Sequence, residues 1–462
     1  MRHDKIRLMA SSVGIADASG FEGWADRLIV PETEEQVRDV LAEAVRTETP
    51  VTVLGSRTGL TGSCVPQGGW AISMEKFRKL EIESGFAHVG PAITLLELRD
   101  AAAKTRQFYA PDPTEITASI GGSIATNASG SRSFRFGSTR RHVRALKVAL
   151  LDGTVRWFHR GEAIDFDVPA LPNPATTKNT AGYRLTPGMD WIDLFCGSEG
   201  TLGVTFEAEV TLLPIPEHLL SGVVFFSSDD DALDAIARWR SIPELRMLEY
   251  ADRPSLDLIR SRYPEIPREA QAALLIEAEG EDLDGWEARL GKSHALIDAS
   301  WFGLEAKDRE RFRAFRHALP EAVVETMRKR GFMNMGTDYA VPLDKDREML
   351  RFYRERLDAE LPNRYVIYGH LGDAHLHLNI LPTTADEAEI ARRLLREFAA
   401  QAVKLGGTVS AEHGLGKRKA KLLELQYTPE QIEAMRAVKR RFDPQELLGR
   451  GTLFGSGFTG AL

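Results

Sequence analysis

Four of the 11 histidines of this 462-residue chain fall in two short segments. The first reads Tyr368-Gly369-His370-Leu371-Gly372-Asp373-Ala374-His375-Leu376-His377-Leu378-Asn379-Ile380; the second reads Ala411-Glu412-His413-Gly414-Leu415-Gly416. In an extended backbone His375, His377 and Asn379 share one face, while Leu376, Leu378 and Ile380 share the other. The apolar face can pack in a core while the polar face looks into a site. Imidazole nitrogens with a carboxylate suit a divalent metal such as zinc. A lone histidine is more often an ordinary surface or core residue, and it is the clustering that points to a site. The spacing alone does not separate a hydrolase from an oxidoreductase.

A second kind of chemistry is written in small residues. The loop Gly55-Ser56-Arg57-Thr58-Gly59-Leu60-Thr61-Gly62 has glycines that let backbone N–H groups approach a phosphate, with Thr58 and Thr61 adding hydroxyls. It lacks the Gly-Lys-Ser/Thr ending of a P-loop and is not Gly-x-Gly-x-x-Gly. Alone it is as well read as a tight connection. Further small-residue segments follow: Pro111-Asp112-Pro113, Ile120 to Gly130, Gly137, and Gly197-Ser198-Glu199-Gly200-Thr201-Leu202-Gly203. Such segments leave little side-chain volume to fill a core. An extended, phosphate-bearing, partly aromatic ligand fits the space they vacate.

The elements that must position these residues are legible in part. Thr33 and Gln36 predict a capping box, followed by Val37, Val40, Leu41, Ala44 and Val45 at helical spacing. Val51–Leu54 reads as a strand entering the glycine loop, and Trp70–Met74 as a second strand. Asp152-Gly153 between two β-rich runs predicts a hairpin. Residues 204–212 alternate as a strand with one buried face and stop at Pro214-Ile215-Pro216, a domain boundary. Beyond it, 223–226, 245–250 and 273–278 read as strands. Residues 231–239 and 387–405 read as helices, the latter stopped by Gly406-Gly407. A last helix opens at Thr428-Pro429, with Gln431 completing a capping box.

Composition narrows the classes. Hydrophobic residues at 43% and charged residues at 27% describe an ordinary globular protein. A net charge of -8 is a poor match to non-specific nucleic-acid binding. Two cysteines, Cys64 and Cys196, cannot build a disulfide framework, a four-Cys zinc site or a cysteine-ligated iron–sulfur cluster. The absence of an 18-residue apolar run predicts no membrane span, and MRHDKIRLMASSVGIADASG lacks the continuous apolar core of a secretory signal.

The order of the small-residue segments resembles the FAD-linked oxidase family, of the vanillyl-alcohol oxidase/p-cresol methylhydroxylase fold. The histidine run followed by Glu-His-Gly-x-Gly resembles the C-terminal half of its FAD-dependent D-2-hydroxyacid dehydrogenases. That group includes D-lactate and D-2-hydroxyglutarate dehydrogenases and the glycolate oxidase catalytic subunit. The resemblance spans roughly residues 28–454. It implies an α+β protein with a two-part FAD-binding domain (28–216) after an N-terminal segment (1–27). A substrate-binding cap carrying the metal motif (217–427) would follow, then a C-terminal helix and tail (428–462) returning to the FAD domain.

By resemblance, Gly55, Ser56, Arg57, Thr58, Gly59, Leu60 and Thr61 would wrap the pyrophosphate. Pro113, Gly121, Gly122, Asn127 and Gly137 would surround the ribityl chain and flavin. Glu199, Gly203 and Val204 would lie along the adenosine. His370, His377 and Glu412 would hold the metal, Arg316 and Asn379 would bind the substrate, and His413 would be the catalytic base. Phe315-Arg316-His317-Ala318-Leu319-Pro320 resembles the family's Trp-x-x-Arg segment, whose arginine binds a carboxylate.

Two departures carry expectations of their own. Arg57 stands where some members have a flavin-linking His, so the FAD is expected to be non-covalent. Near Gly336-Thr337-Asp338 the chain lacks the Lys of the 2-hydroxyglutarate enzymes, and Pro320 replaces a Thr, so a second carboxylate clamp is not expected. The expected activity is oxidation of a D-lactate-like 2-hydroxy acid to the 2-oxo acid. An external acceptor (quinone, cytochrome, electron-transfer flavoprotein or iron–sulfur partner) would reoxidise the flavin. The expected location is cytoplasmic, with membrane association through a redox partner. The alternatives are another flavoenzyme of this fold (glycolate or D-2-hydroxyglutarate dehydrogenase, an oxygen-using oxidase or an ether-lipid synthase) and a non-catalytic FAD electron-transfer subunit.

Overall fold

A computed structural model describes residues 12–455. The start of the N-terminal segment, residues 1–11, lies outside the described residues, as do residues 456–462 of the tail.

The strand Val51–Leu54 pairs in parallel with Trp70–Ser73, and Arg27–Ile29 flanks the other side of Trp70–Ser73. A parallel pair needs a crossover; here the whole crossover is the glycine-rich stretch between the two strands. The helix Glu34–Arg46 covers this sheet with Val37, Val40 and Leu41. Its N-terminus differs from the expected capping box. Thr33 accepts from the Gln36 N–H, but Gln36 Oε1 accepts from the Glu32 N–H (2.7 Å) instead of reciprocating to Thr33. Residues 12–27, read from sequence only as a leading segment, carry the hairpin Val13–Ala16/Glu22–Ala25.

A five-stranded antiparallel sheet follows, in the spatial order Val155–His159, Val143–Ala149, Val204–Thr211, Phe86–Val89, Leu80–Glu83. The Asp152-Gly153 hairpin is present, with Gly153 at φ +87. Strand Val204–Thr211 alternates buried and half-buried residues along its length.

After Pro216 the chain builds a seven-stranded antiparallel sheet, ordered Trp301–Gly303, Leu219–Phe226, Ala272–Glu279, Leu245–Asp252, Tyr365–His370, His375–Ile380, Met335–Gly336. The helix Ala306–Arg330 packs Phe312, Phe315 and Leu319 against the face that carries Phe225, Ala251 and Leu275. The helix Ala385–Lys404 buries Leu394, Leu395 and Phe398. The helix Pro429–Phe442 opens on the expected capping box, with both reciprocal bonds made. The chain then returns to the parallel sheet: Val51 N–H donates to Leu447 O (2.9 Å) and Gly449 N–H to Val51 O (2.8 Å). Among the described residues no helix is long and apolar enough to cross a membrane.

Candidate active site

The glycine loop leaves the C-terminal end of Val51–Leu54 and forms one wall of a cavity of about 290 Å³. Gly55 to Leu60, Pro113, Gly121, Gly122, Glu199 and Gly203 all line it, as do Asp17, Ser119, Ser123, Ser129, Glu412 and His413. The wall is largely backbone, and the packing shows why. A Cβ on Gly121 would sit 2.6 Å from Pro91 Cβ, and one on Gly203 2.5 Å from Val148 Cγ1. Arg57 sits at φ +59, so the loop turns through a left-handed residue to face the cavity.

Four residues assigned to the cofactor by resemblance stand off this cavity and tie its walls together. Asn127 Oδ1 accepts from Arg140 N–H (2.8 Å). Gly137, at φ +80, closes the short helix Ser133–Phe136. Thr61 O accepts from the N–H groups of Lys417 (3.0 Å) and Arg418 (3.1 Å). Val204 is a buried residue at the start of the strand Val204–Thr211. Glu199 lines the cavity, but its carboxylate accepts from Ser63 Oγ (2.6 Å) and from the Leu415 and Gly416 N–H groups (both 2.9 Å). It pins the C-terminal glycine turn against the loop.

The cavity fits an extended phosphate-bearing cofactor on two observations. The N–H groups of residues 57–60 donate to no protein acceptor among the described residues. The buried Ser123 hydroxyl on the wall has no hydrogen-bond partner either. A buried hydroxyl such as that of Ser123 seldom stays unpaired without a reason, while the largely exposed loop N–H groups are open to a ligand.

Against this cavity the large sheet sets a cluster of ionisable side chains. Cross-strand neighbours share a face. His370 pairs with His375, and the register Tyr250↔Gly369 brings Glu249 opposite His370 one step on. His377 follows His375 by two positions on the same face. Among the described residues, ligand atoms of His370, His375, His377 and Glu412 lie within 4.8 Å of one another. Glu412 Oε1 is 3.3 Å from His370 Nε2, 3.3 Å from His377 Nε2 and 3.7 Å from His413 Nε2. Its other oxygen accepts from Ser129 Oγ (3.0 Å) and Lys178 Nζ (3.2 Å). Burial opposes the Glu412 charge, but Lys178 and His370 outweigh it and hold the carboxyl well below its ordinary range. Such a donor set, three imidazoles and one ionised carboxylate, suits a divalent ion of the zinc type.

His413 stands where the cluster meets the cavity. Its ring stacks on His377 at 5.7 Å between centroids, and its Nδ1 lies 3.6 Å from Asp338 Oδ1. Burial lowers the imidazole pKa, with Asp338 and Glu412 opposing, so the ring is neutral at pH 7. Asp338 itself is fully buried. It accepts from the His413 N–H (2.9 Å) and Ser410 Oγ (2.8 Å), and its Oδ1 lies 3.2 Å from His375 Nε2.

Arg316 and Asn379 differ in setting. Arg316 descends from the helix Ala306–Arg330, with Nε donating to Glu249 Oε2 (2.9 Å) and Nη1 to Thr114 Oγ1 (3.2 Å) on the cavity wall. Pro320 lies one turn on and has no N–H for the Arg316 carbonyl. Asn379 is buried two positions after His377, facing Gly336. A Cβ on Gly336 would meet Asn379 Oδ1 at 2.7 Å, so a longer side chain there would displace Asn379.

Sequence reasoning did not single out Glu249, Ser129 or Lys178 for this cluster, and it placed His375 on the polar face without assigning it to the metal. Nothing local in Leu248-Glu249-Tyr250 marks Glu249; it reaches the site only through strand pairing. His375 had a signal, since it shares the polar face of His377.

The FAD linked oxidases, C-terminal domain, match residues 215–453, and the FAD binding domain matches residues 25–159. The chain belongs to the FAD-linked oxidases. Within them it is an FAD-dependent oxidoreductase of the D-lactate dehydrogenase/GlcD group. It is 30% identical to the glycolate oxidase subunit GlcD of Bacillus subtilis (94% of this chain, 90% of the relative). It is 31% identical to a D-lactate dehydrogenase of Archaeoglobus fulgidus (92% and 90%). Its fold is similar to that of an alkyldihydroxyacetonephosphate synthase, with a TM-score of 0.65 at 14% identity over 93% of this chain and 76% of the other.

Proposed function

We propose that this chain oxidises a D-2-hydroxy monocarboxylic acid of the D-lactate type to its 2-oxo acid, with non-covalent FAD and a divalent ion, zinc by its donor set. One observation carries the reading: Glu412 and His413 line the cofactor cavity while Glu412 also belongs to the histidine cluster. A hydroxy acid at that junction would touch both.

Bound FAD would supply the hydride acceptor, and a bound ion would polarise the substrate hydroxyl and carboxylate oxygens. The protein does the rest. Arg316 takes the carboxylate through its free fork edge, and Asn379 contacts the substrate beside it. His413, neutral at pH 7, accepts the hydroxyl proton at Nε2 while Asp338 faces Nδ1. His370, His377 and Glu412 hold the ion, joined by His375.

Non-covalent attachment has a second support. Cys64 also lines the cavity, but burial, with Asp17 adding, pushes its thiol up to about 11. It is a poor nucleophile at neutral pH. A monocarboxylate is favoured because two cations that could form a second clamp, Lys147 and Lys178, are already engaged. Lys147 pairs with Glu34 (2.5 Å), and Lys178 is buried between Glu412 (3.2 Å) and Asp373 (3.4 Å). The electron acceptor is external, a quinone, cytochrome, electron-transfer flavoprotein or iron–sulfur partner, and the working location is the cytoplasm.

The test is a dye-coupled screen of both enantiomers of lactate, malate and 2-hydroxyglutarate, and of glycolate, with and without added zinc. D-lactate turnover with flavin bleaching supports the reading. Bleaching by no hydroxy acid overturns it in favour of a non-catalytic flavin subunit.

A further inference from the structure

One buried carboxylate stands between two parts of the site that sequence reasoning treats separately. Glu249 is 3% exposed and divides its oxygens. Oε1 lies 2.6 Å from His370 Nδ1, and Oε2 accepts from Arg316 Nε at 2.9 Å.

With Oε2 already taking the Nε–H of Arg316, Oε1 is the acceptor of the short contact and His370 Nδ1–H its donor. That contact fixes the ring's orientation, and Nε2 is the edge turned to Glu412 Oε1, 3.3 Å away. On the other side Glu249 takes the Nε–H of Arg316. Nη1 is turned to Thr114 on the cavity wall, and Nη2 donates to no protein acceptor among the described residues.

We propose that Glu249 is a positioning residue that couples the metal-facing edge of His370 to the carboxylate-binding edge of Arg316. A shift of either partner is passed to the other through one rigid carboxylate. The inference rests on the metal and substrate roles proposed above.

The decisive variant is Glu249→Gln. Its single carbonyl can accept from His370 or from Arg316, and its amide must then face the other donor. Zinc affinity is measured by chelator competition on FAD-loaded, metal-stripped full-length protein, and KM for D-lactate at saturating zinc. E249Q should weaken zinc and raise KM, each by about 10–100-fold, with kcat changed less. Wild-type values for both would overturn the coupling and leave the proposed function intact. A wild-type protein that binds no zinc overturns the metal reading and this inference with it. Should E249Q fail to load FAD, E249D keeps the charge but is one methylene short of spanning both partners. It should lose zinc affinity or substrate affinity, and wild-type behaviour in both overturns the proposal.

Discussion

The cofactor cavity and the ionisable cluster share a wall but are built from opposite materials. The cavity is made of backbone, with small residues, unpaired N–H groups and close chain-to-chain approaches such as Gly121 on Pro91. The cluster is made of side chains, in which Glu412, Glu249 and Asp338 divide their oxygens among histidines, Lys178 and Arg316. A backbone cradle spreads its binding over many weak donors, so no single side chain decides it. A buried charged network concentrates its effect, because removing one member leaves another uncompensated. Point substitutions should therefore act far more strongly in the cluster than in the cradle.

The largest effect is expected at the junction. His413→Asn should keep bound FAD and metal yet lose about 10²–10⁴ in turnover, read by single-turnover flavin bleaching. Metal loss as complete as in His377→Ala would make His413 a ligand and move the base elsewhere. His377→Ala should itself lose metal, read by metal analysis after gel filtration, and bind substrate more weakly while retaining FAD.

The substrate preference tests the engaged cations. kcat/KM should be higher for D-lactate than for D-2-hydroxyglutarate. A hundredfold preference for the dicarboxylate would mean that Lys178 or another cation is released to bind it.

Smaller effects belong to the cradle. Gly121→Ala must displace Pro91 and should cost about 1–3 kcal/mol of stability by overpacking, measured by denaturant unfolding, with reduced FAD loading. Arg57→Ala should be smaller still, weakening FAD a few-fold through loss of one exposed charge, roughly what a surface interaction contributes. Denatured wild-type protein should release its FAD, and flavin that stays on the chain in a denaturing gel would point to an attachment residue. If cradle substitutions instead equal the His413 effect, the contrast between the two regions fails.

The sequence alone determined the local features. Thr428 and Gln431 cap a helix, Asp152-Gly153 turns a hairpin, and residues 204–211 alternate, because each depends on neighbours only a few residues away. The glycine segments and the histidine run were legible for the same reason, since composition and period-two spacing survive without knowledge of the fold. Tertiary structure alone decided what meets across the chain. Glu249 reaches His370 by strand register over 121 residues, and Glu412 meets Lys178 over 234. Gln36 bonds Glu32 and Asn127 bonds Arg140, because the fold brings a backbone N–H within reach of each side-chain oxygen. Local sequence fixes which hydrogen-bonding groups a residue brings; only the folded chain decides which partner is in reach.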